Sequence, residues 1–179
     1  MLDDDRIVSI REFESGDTQP ILDALMATEE YWLAMTGYFP EEGDLQSLFY
    51  LLPDGADMDI KHLYVIELDG IVIGLIDALM GWPMSTVITL GTFLIHPRFQ
   101  RQGIAARTLE IGSRRARDMG YDTIGAACPH GWSPGESFLS ASGFTRQPPH
   151  QSTQMNRITH PHERGLQIDA WTYCLHEAG

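Results

Sequence analysis

The chain has 179 residues, 43% apolar and 21% charged, which is room for one domain with a full core and excludes bulk disorder. Its net charge of −13 argues against nucleic-acid binding, and no apolar run reaches the ~18 residues of a membrane span. The acidic start Met-Leu-Asp-Asp-Asp is no secretory signal, and Cys128 and Cys174 make no disulfide framework, so the expected location is the cytoplasm, with neither nucleic acid nor membrane as partner.

In chain order, residues 6–12 read as a first strand. Asp17 and Pro20 mark the start of a helix running to Thr36, with Ile21, Leu22, Leu25, Met26, Tyr31 or Trp32, and Met35 as its apolar stripe and Gly37 as its stop. Residues 38–60 read as a loop around a short helix, Leu45 to Leu51, and Pro53-Asp54-Gly55 as a turn. His62 to Leu68 and Ile71 to Met80 form a hairpin about Asp69-Gly70, because Asp-Gly between β-rich apolar runs is a strong hairpin signal. After Gly81-Trp82-Pro83, residues 86–95 make another strand, in which Gly91 signals a bulge or a close approach.

His96-Pro97 ends that strand. A helix follows from Ile104 to Met119, closed by Gly120. Thr123 to Ala127 is a short strand, Pro134 to Ser142 a short helix stopped by Gly143, and 151–158 and 168–176 are two further strands. This order of elements indicates one α/β domain over 1–179, around a mixed sheet.

Charge is uneven along the chain. Residues 1–70 hold 17 acidic and 3 basic side chains, whereas residues 71–179 hold 8 and 9. Arg98, Arg101, Arg107, Arg114, Arg115 and Arg117 lie within one stretch, and the chain has one lysine, Lys61. Clustered arginines in an acidic protein fit a small polyanion, since guanidinium matches phosphate geometry. A solvated helix face, with Glu110 and Asp118 as partners, is the alternative.

The stretch from Phe93 to Ala106 (Phe-Leu-Ile-His-Pro-Arg-Phe-Gln-Arg-Gln-Gly-Ile-Ala-Ala) is a strand, a tight polar loop and a helix start. Such a loop aims backbone N–H groups at one point, and the helix N-terminus adds positive potential there. Gly103 permits close approach and Ala105 keeps the next turn small. It is neither a Walker loop nor a Rossmann loop; an ordinary strand-to-helix connection is the alternative.

Gln100-Arg-Gln-Gly-Ile-Ala105 resembles the Gln/Arg-x-x-Gly-x-Gly/Ala signature of the GCN5-related N-acetyltransferases. Leu94-Ile-His-Pro97 matches that family's strand ending, and Glu136-Ser-Phe-Leu-Ser-Ala-Ser-Gly-Phe144 is similar to its late Gly-Phe element. The resemblance is clearest over 62–145. It implies a mixed, mostly antiparallel central sheet flanked by helices, and an acetyl-CoA cosubstrate. Phe93, Leu94 and Ile95 would pair through their backbone with the pantetheine arm. Gln100 would start the loop, and the amides of Arg101, Gln102, Gly103, Ile104, Ala105 and Ala106 would bind the pyrophosphate. The cluster itself suggests Arg101 or a helix arginine for the 3′-phosphate.

The implied reaction is attack of a small-molecule primary amine on the thioester, with a non-catalytic acyl-CoA sensor as the rival reading. The amine must lose a proton and the leaving thiolate must gain one. The family's usual tyrosine acid falls at Leu139, its frequent asparagine at Trp132, and an occasional glutamate at Ala127. His130, whose imidazole can accept and release a proton, and Asp77, a carboxylate in an apolar strand, are the remaining catalytic candidates. A backbone or arginine partner for Asp77, or a merely solvent-facing His130, are the bland alternatives. Cys128 would need a lowered pKa to act, and packing as a small apolar group is its alternative.

Trp82, Tyr38, Tyr31 and Trp32 are candidate walls of the acceptor pocket, with Trp82 first, although aromatics at helical spacing are also ordinary core residues. The acidic first 70 residues favour a cationic amine, although acidity also serves solubility. His160-x-His162-Glu163 lacks a third well-placed ligand, so no metal is expected. Small α/β domains often pair through exposed strands, which makes a homodimer the candidate assembly.

Overall fold

The computed structural model describes residues 5–148 and 167–175. Its seven strands are β1 (Val8–Glu12), β2 (Lys61–Leu68), β3 (Ile71–Met80), β4 (Val87–Ile95), β5 (Thr123–Pro129), β6 (Thr145–Arg146) and β7 (Ile168–Cys174). They form one sheet in the order β1-β2-β3-β4-β5-β7-β6. Every neighbouring pair is antiparallel except β4 and β5, so the sheet is mixed and mostly antiparallel, as the resemblance implied. The strand expected at 151–158 lies outside the described residues, as do His160, His162 and Glu163.

The five helices are α1 (Thr18–Met26), α2 (Glu29–Thr36), α3 (Glu42–Tyr50), α4 (Ile104–Asp118) and α5 (Ser133–Ala141). Alternation along each strand sends neighbouring residues to opposite faces. Leu75 and Leu94 pack with Ile21, Leu25, Trp32 and Leu48 under the first three helices. Ile76 and Ile95 join Ile104, Ala116 and Leu139 under α4 and α5. Each fully buried Leu or Ile contributes about 1.5–3 kcal/mol from apolar transfer. Among the described residues no helix is long and apolar enough to cross a membrane.

The single helix expected from Pro20 to Thr36 is two. Thr28 is 5% exposed, and its hydroxyl donates to the carbonyls of Ala24 and Leu25 at 3.1 and 2.8 Å. Such back-bonding competes with the helical ladder and breaks the run there. Asp17 precedes α1 but does not cap it. Its carboxylate instead takes the Glu14 N–H at 2.8 Å and two Arg11 nitrogens at 2.7 and 2.8 Å. The next helix begins before Leu45, because Glu41 and Asp44 form a capping box around its first turn. The hairpin turn is as read: Asp69 and Gly70 both have positive φ, 55° and 79°, which a two-residue primed turn requires.

Candidate active site

Strands β4 and β5 pair over only four positions, Val87 to Leu90 against Thr123 to Ala126. Beyond that point they part. The rest of β4, Thr92 to Ile95, stays on β3, while Ala127 to Pro129 stay on β7. The cause is local to Gly91. Asp77 pairs with Thr92 and Ala78 with Leu90, so Gly91 is an extra residue, the bulge its sequence position suggested. A bulge bends its strand and raises the local twist. The result is a wedge between two strand edges, closed at Leu90 and open towards the loop at 96–103.

That loop is braced from within. The Gln100 side-chain amide donates to the Ile95 carbonyl at 2.7 Å, and that of Gln102 donates to the Arg98 carbonyl at 2.9 Å. His96 Nδ1 accepts the Arg98 N–H at 3.2 Å, starting a tight turn at Pro97–Phe99. Arg101 and Gly103 are left-handed, at φ 61° and 84°. The first backbone bond of α4 runs from Arg107 N–H to the Gly103 carbonyl at 3.1 Å. The amides of Ile104, Ala105 and Ala106 therefore precede the helical ladder, at the positive end of the helix dipole.

A glycine that sequence reading passed over supports this edge. A Cβ on Gly74 would stand 2.4 Å from the Leu94 carbonyl. Only glycine lets β3 lie this close to the outer half of β4.

The arginine cluster divides. Arg115 donates to the Ile10 carbonyl at 2.7 Å and Arg117 to the Leu175 carbonyl at 2.8 Å, fastening α4 to β1 and to the end of β7. Arg107 and Arg114 share Glu110, at 2.6 and 3.1 Å. Arg98 and Arg101 are exposed and have no ion-pair partner among the described residues.

At the closed end of the wedge the polar groups are side chains. Asp77 is bound by Lys61 Nζ at 2.8 and 3.0 Å, with both side chains 2–3% exposed. The partner is thus a lysine, in place of the arginine or backbone group expected. Burial pushes the Asp77 carboxyl up, and Lys61 opposes that shift. Tyr31 of α2 takes a hydrogen bond from the Phe93 backbone N–H and is hydrogen-bonded to the Thr92 side chain. Burial pushes its hydroxyl up to about 12, against the pull of those two bonds. Its ring meets Trp132 edge-on at 5.9 Å and Trp32 at 6.3 Å. On the opposite face Phe93 stacks on Phe138 of α5 at 5.7 Å.

His130 follows β5. Its Nδ1 lies 2.9 Å from Asp169 Oδ2, while the side chain is 52% exposed. Arg146 bridges Glu136 and Asp169, at 3.4 Å from the latter, and lies over the Trp171 ring. His130, Glu136 and Asp169 have metal-like proximity, but the Arg146 guanidinium already balances their carboxylates. Cys128 is 2% exposed and its thiol is pushed up to about 12 by burial, the reverse of the lowered pKa that reactivity would need. Leu139 is buried in the core under α5.

The two aromatics expected at the acceptor pocket stand apart. Trp82 lies in the β3–β4 turn, beyond the closed end of the wedge, and its carbonyl accepts the Thr89 hydroxyl at 2.6 Å. Tyr38 lies between α2 and α3, with its hydroxyl donating to Asp44 at 3.2 Å.

No curated protein matches the sequence significantly. Solved structures do match the fold. An acetyltransferase from Thermus thermophilus superposes with a TM-score of 0.67 at 18% identity, covering 93% of this chain and 96% of that one. A GNAT-family acetyltransferase from Bacillus anthracis gives 0.69 at 15%, covering 95% and 96%. Spermidine N-acetyltransferase from Vibrio cholerae, in complex with CoA and spermine, gives 0.67 at 13%, covering 94% and 95%. Identities this low show likeness of fold. A model of the Acetyltransferase (GNAT) family matches residues 25–131, from the end of α1 through the loop after β5. More than half of the sequence, including the wedge and its loop, thus carries the family's pattern, and the chain belongs to the GNAT acetyltransferase family.

Proposed function

We propose that this protein transfers an acetyl group from acetyl-CoA to the primary amine of a small molecule. The observation that carries this reading is the wedge between β4 and β5, which leads from a closed polar end to a loop of amides outside the helical ladder. Acetyl-CoA supplies an acyl carbon on a thiol leaving group. The Phe93–Ile95 edge offers backbone groups to an extended amide-bearing arm. Residues Arg101 to Ala106, braced by Gln100, offer N–H groups to the pyrophosphate. Among the described residues of the cluster, Arg98 and Arg101 are the free cations for a further phosphate, since the other four arginines have partners.

The acceptor would enter from the end opposite the loop, where Trp82 is the better wall; Tyr38, anchored on Asp44, borders the same acidic half of the chain. His130 is our choice to take the proton from the acceptor's ammonium. Asp169 fixes its Nδ1, which leaves Nε2 as the exchanging nitrogen. Asp77 we assign to the fold, because both its oxygens are spent on Lys61.

Leu139 favours the second reading, a domain that binds acyl-CoA without transfer, since a buried leucine stands where the family's acid is usual. Titration calorimetry with acetyl-CoA and an assay of CoA release decide between them. Transfer requires binding that weakens with salt, and CoA release with at least one of a panel of primary amines. Gly103→Asp puts a carboxylate among the amides at a left-handed position and is expected to abolish binding. Wild-type affinity in that variant rejects the cradle. Binding without release with any amine selects the sensor.

A further inference from the structure

The wedge fixes where the reacting end of a bound arm must stop. An arm that enters at the loop and pairs with Ile95, Leu94 and Phe93 runs towards the closed end, where Leu90 meets Ala126. Of the amides that face away from β3, the last before the bulge belongs to Phe93. Its hydrogen goes to Tyr31, so this amide is turned out of the β3–β4 ladder and into the opening. The Tyr31 hydroxyl therefore stands where the arm ends, brought there by α2, on the opposite side of the sheet from α5.

Three features hold it in place. Thr92 anchors the hydroxyl, Trp132 and Trp32 fix the ring edge-on from two directions, and α2 is set at this angle by the break at Thr28. No phenol comes from α5, which has no tyrosine and whose Leu139 is packed in the core. The Cys128 thiol is spent on the Pro129 carbonyl at 3.6 Å inside the core. Asp77 is held by Lys61.

We propose that Tyr31 is the proton donor to the leaving sulfur, a catalytic role that α2 fills in place of α5. The inference rests on the acetyl-transfer reading above. The amine nitrogen forms its bond to the acetyl carbon. The carbon–sulfur bond breaks, leaving its electron pair on sulfur. The Tyr31 O–H proton passes to that sulfur, and the proton lost by nitrogen restores the phenol. Acetyl-CoA and amine thus become amide and free CoA, with no net proton consumed. A phenol held neutral by burial keeps its proton until a thiolate forms beside it.

Tyr31→Phe keeps the ring packing and removes only the hydroxyl. Its kcat for CoA release, with spermidine and glutamate as cationic and acidic probe amines, is expected to fall about 10²- to 10⁴-fold. Affinity for a thioether analogue of acetyl-CoA should be unchanged by calorimetry. Fluorotyrosine incorporated at Tyr31 gives two readouts that a packing role would not move. Its fluorine resonance should shift when the thioether analogue binds, without any turnover. Its lower phenol pKa should carry the alkaline limb of the kcat profile downward. The titrating groups facing this ring are Asp77 from β3, paired with Lys61 of β2, and Cys128 from β5, and both raise the Tyr31 hydroxyl; Asp77→Asn and Cys128→Ala should also carry that limb downward, by less than the fluorine does.

Near-wild-type kcat in Tyr31→Phe, a parallel loss of affinity and kcat, or a silent fluorine resonance each overturns the donor role and leaves the transfer reading standing. A wild-type protein that binds acetyl-CoA but releases no CoA with these two or any other amine of the panel overturns both.

Discussion

The outer end of the wedge is one continuous run, Phe93 to Ala106, and its chemistry is mostly backbone: strand amides, left-handed turns and the first N–H groups of α4. The inner end is side chains gathered from α2, β2, β3 and β5 around one bulge. The outer end therefore depends chiefly on its φ angles and on the few side chains that brace or charge it, whereas the inner end fails one side chain at a time. Damage outside should appear in cosubstrate affinity, and damage inside in turnover or stability.

The largest effect on stability is expected at the inner end. Lys61→Met leaves the Asp77 carboxylate buried without its counter-ion, and the unfolding free energy should drop by about 3–5 kcal/mol. The pH dependence follows from the raised carboxyl of Asp77, which binds its proton more tightly folded than unfolded. Stability from this group is fully present below the ordinary carboxylate range and falls as pH rises through the folded value. Loss of Lys61 should steepen that fall, as urea midpoints across pH will read. Lys61→Met with Asp77→Leu should recover most of the stability. A single variant as stable as wild type would break the distinction between the two ends.

Gly74→Ala should act at the outer end through its backbone. The new Cβ presses on the Leu94 carbonyl, costing about 1–3 kcal/mol and weakening acetyl-CoA binding by calorimetry. Arg101→Ala should lower that affinity about tenfold and flatten its salt dependence without moving Tm. Arg115→Ala should do the reverse, lowering Tm through the lost bond to β1 while sparing affinity. The smallest effect lies far from both ends, at Asp17. Arg11 holds that carboxyl below its usual range, so its contribution is present above the unfolded value and is lost as pH falls. Asp17→Asn should flatten the acid limb of the stability profile and leave turnover alone.

The same contrast explains what could be read from the chain. Asp69-Gly70, Gly91 and Gln100 to Ala106 act through neighbours a few residues away, so their patterns stand in the sequence in order. Thr28 broke the expected helix because a buried threonine hydroxyl can take the carbonyls behind it, while the apolar stripe runs on unbroken across the gap. Tyr31 looked like one more core aromatic. Its meeting with Thr92 and Phe93 depends on α2 crossing a sheet edge that exists only once β4 has left β5. Lys61 and Asp77 are diagonal neighbours across a hairpin whose turn was legible, but which face their side chains share depends on a register that one irregularity at Ile66/Glu67 shifts. Gly74 carried no local signal, since its demand comes from the backbone of the neighbouring strand.

The lysine held by Asp77 is the only one in the chain, and it is sealed from solvent. A protein proposed to deliver acetyl groups to amines thus shows no side-chain amine of its own to the donor. Prolonged incubation with acetyl-CoA should leave Lys61 unmodified by mass spectrometry, so that slow self-acetylation does not strip Asp77 of its counter-ion.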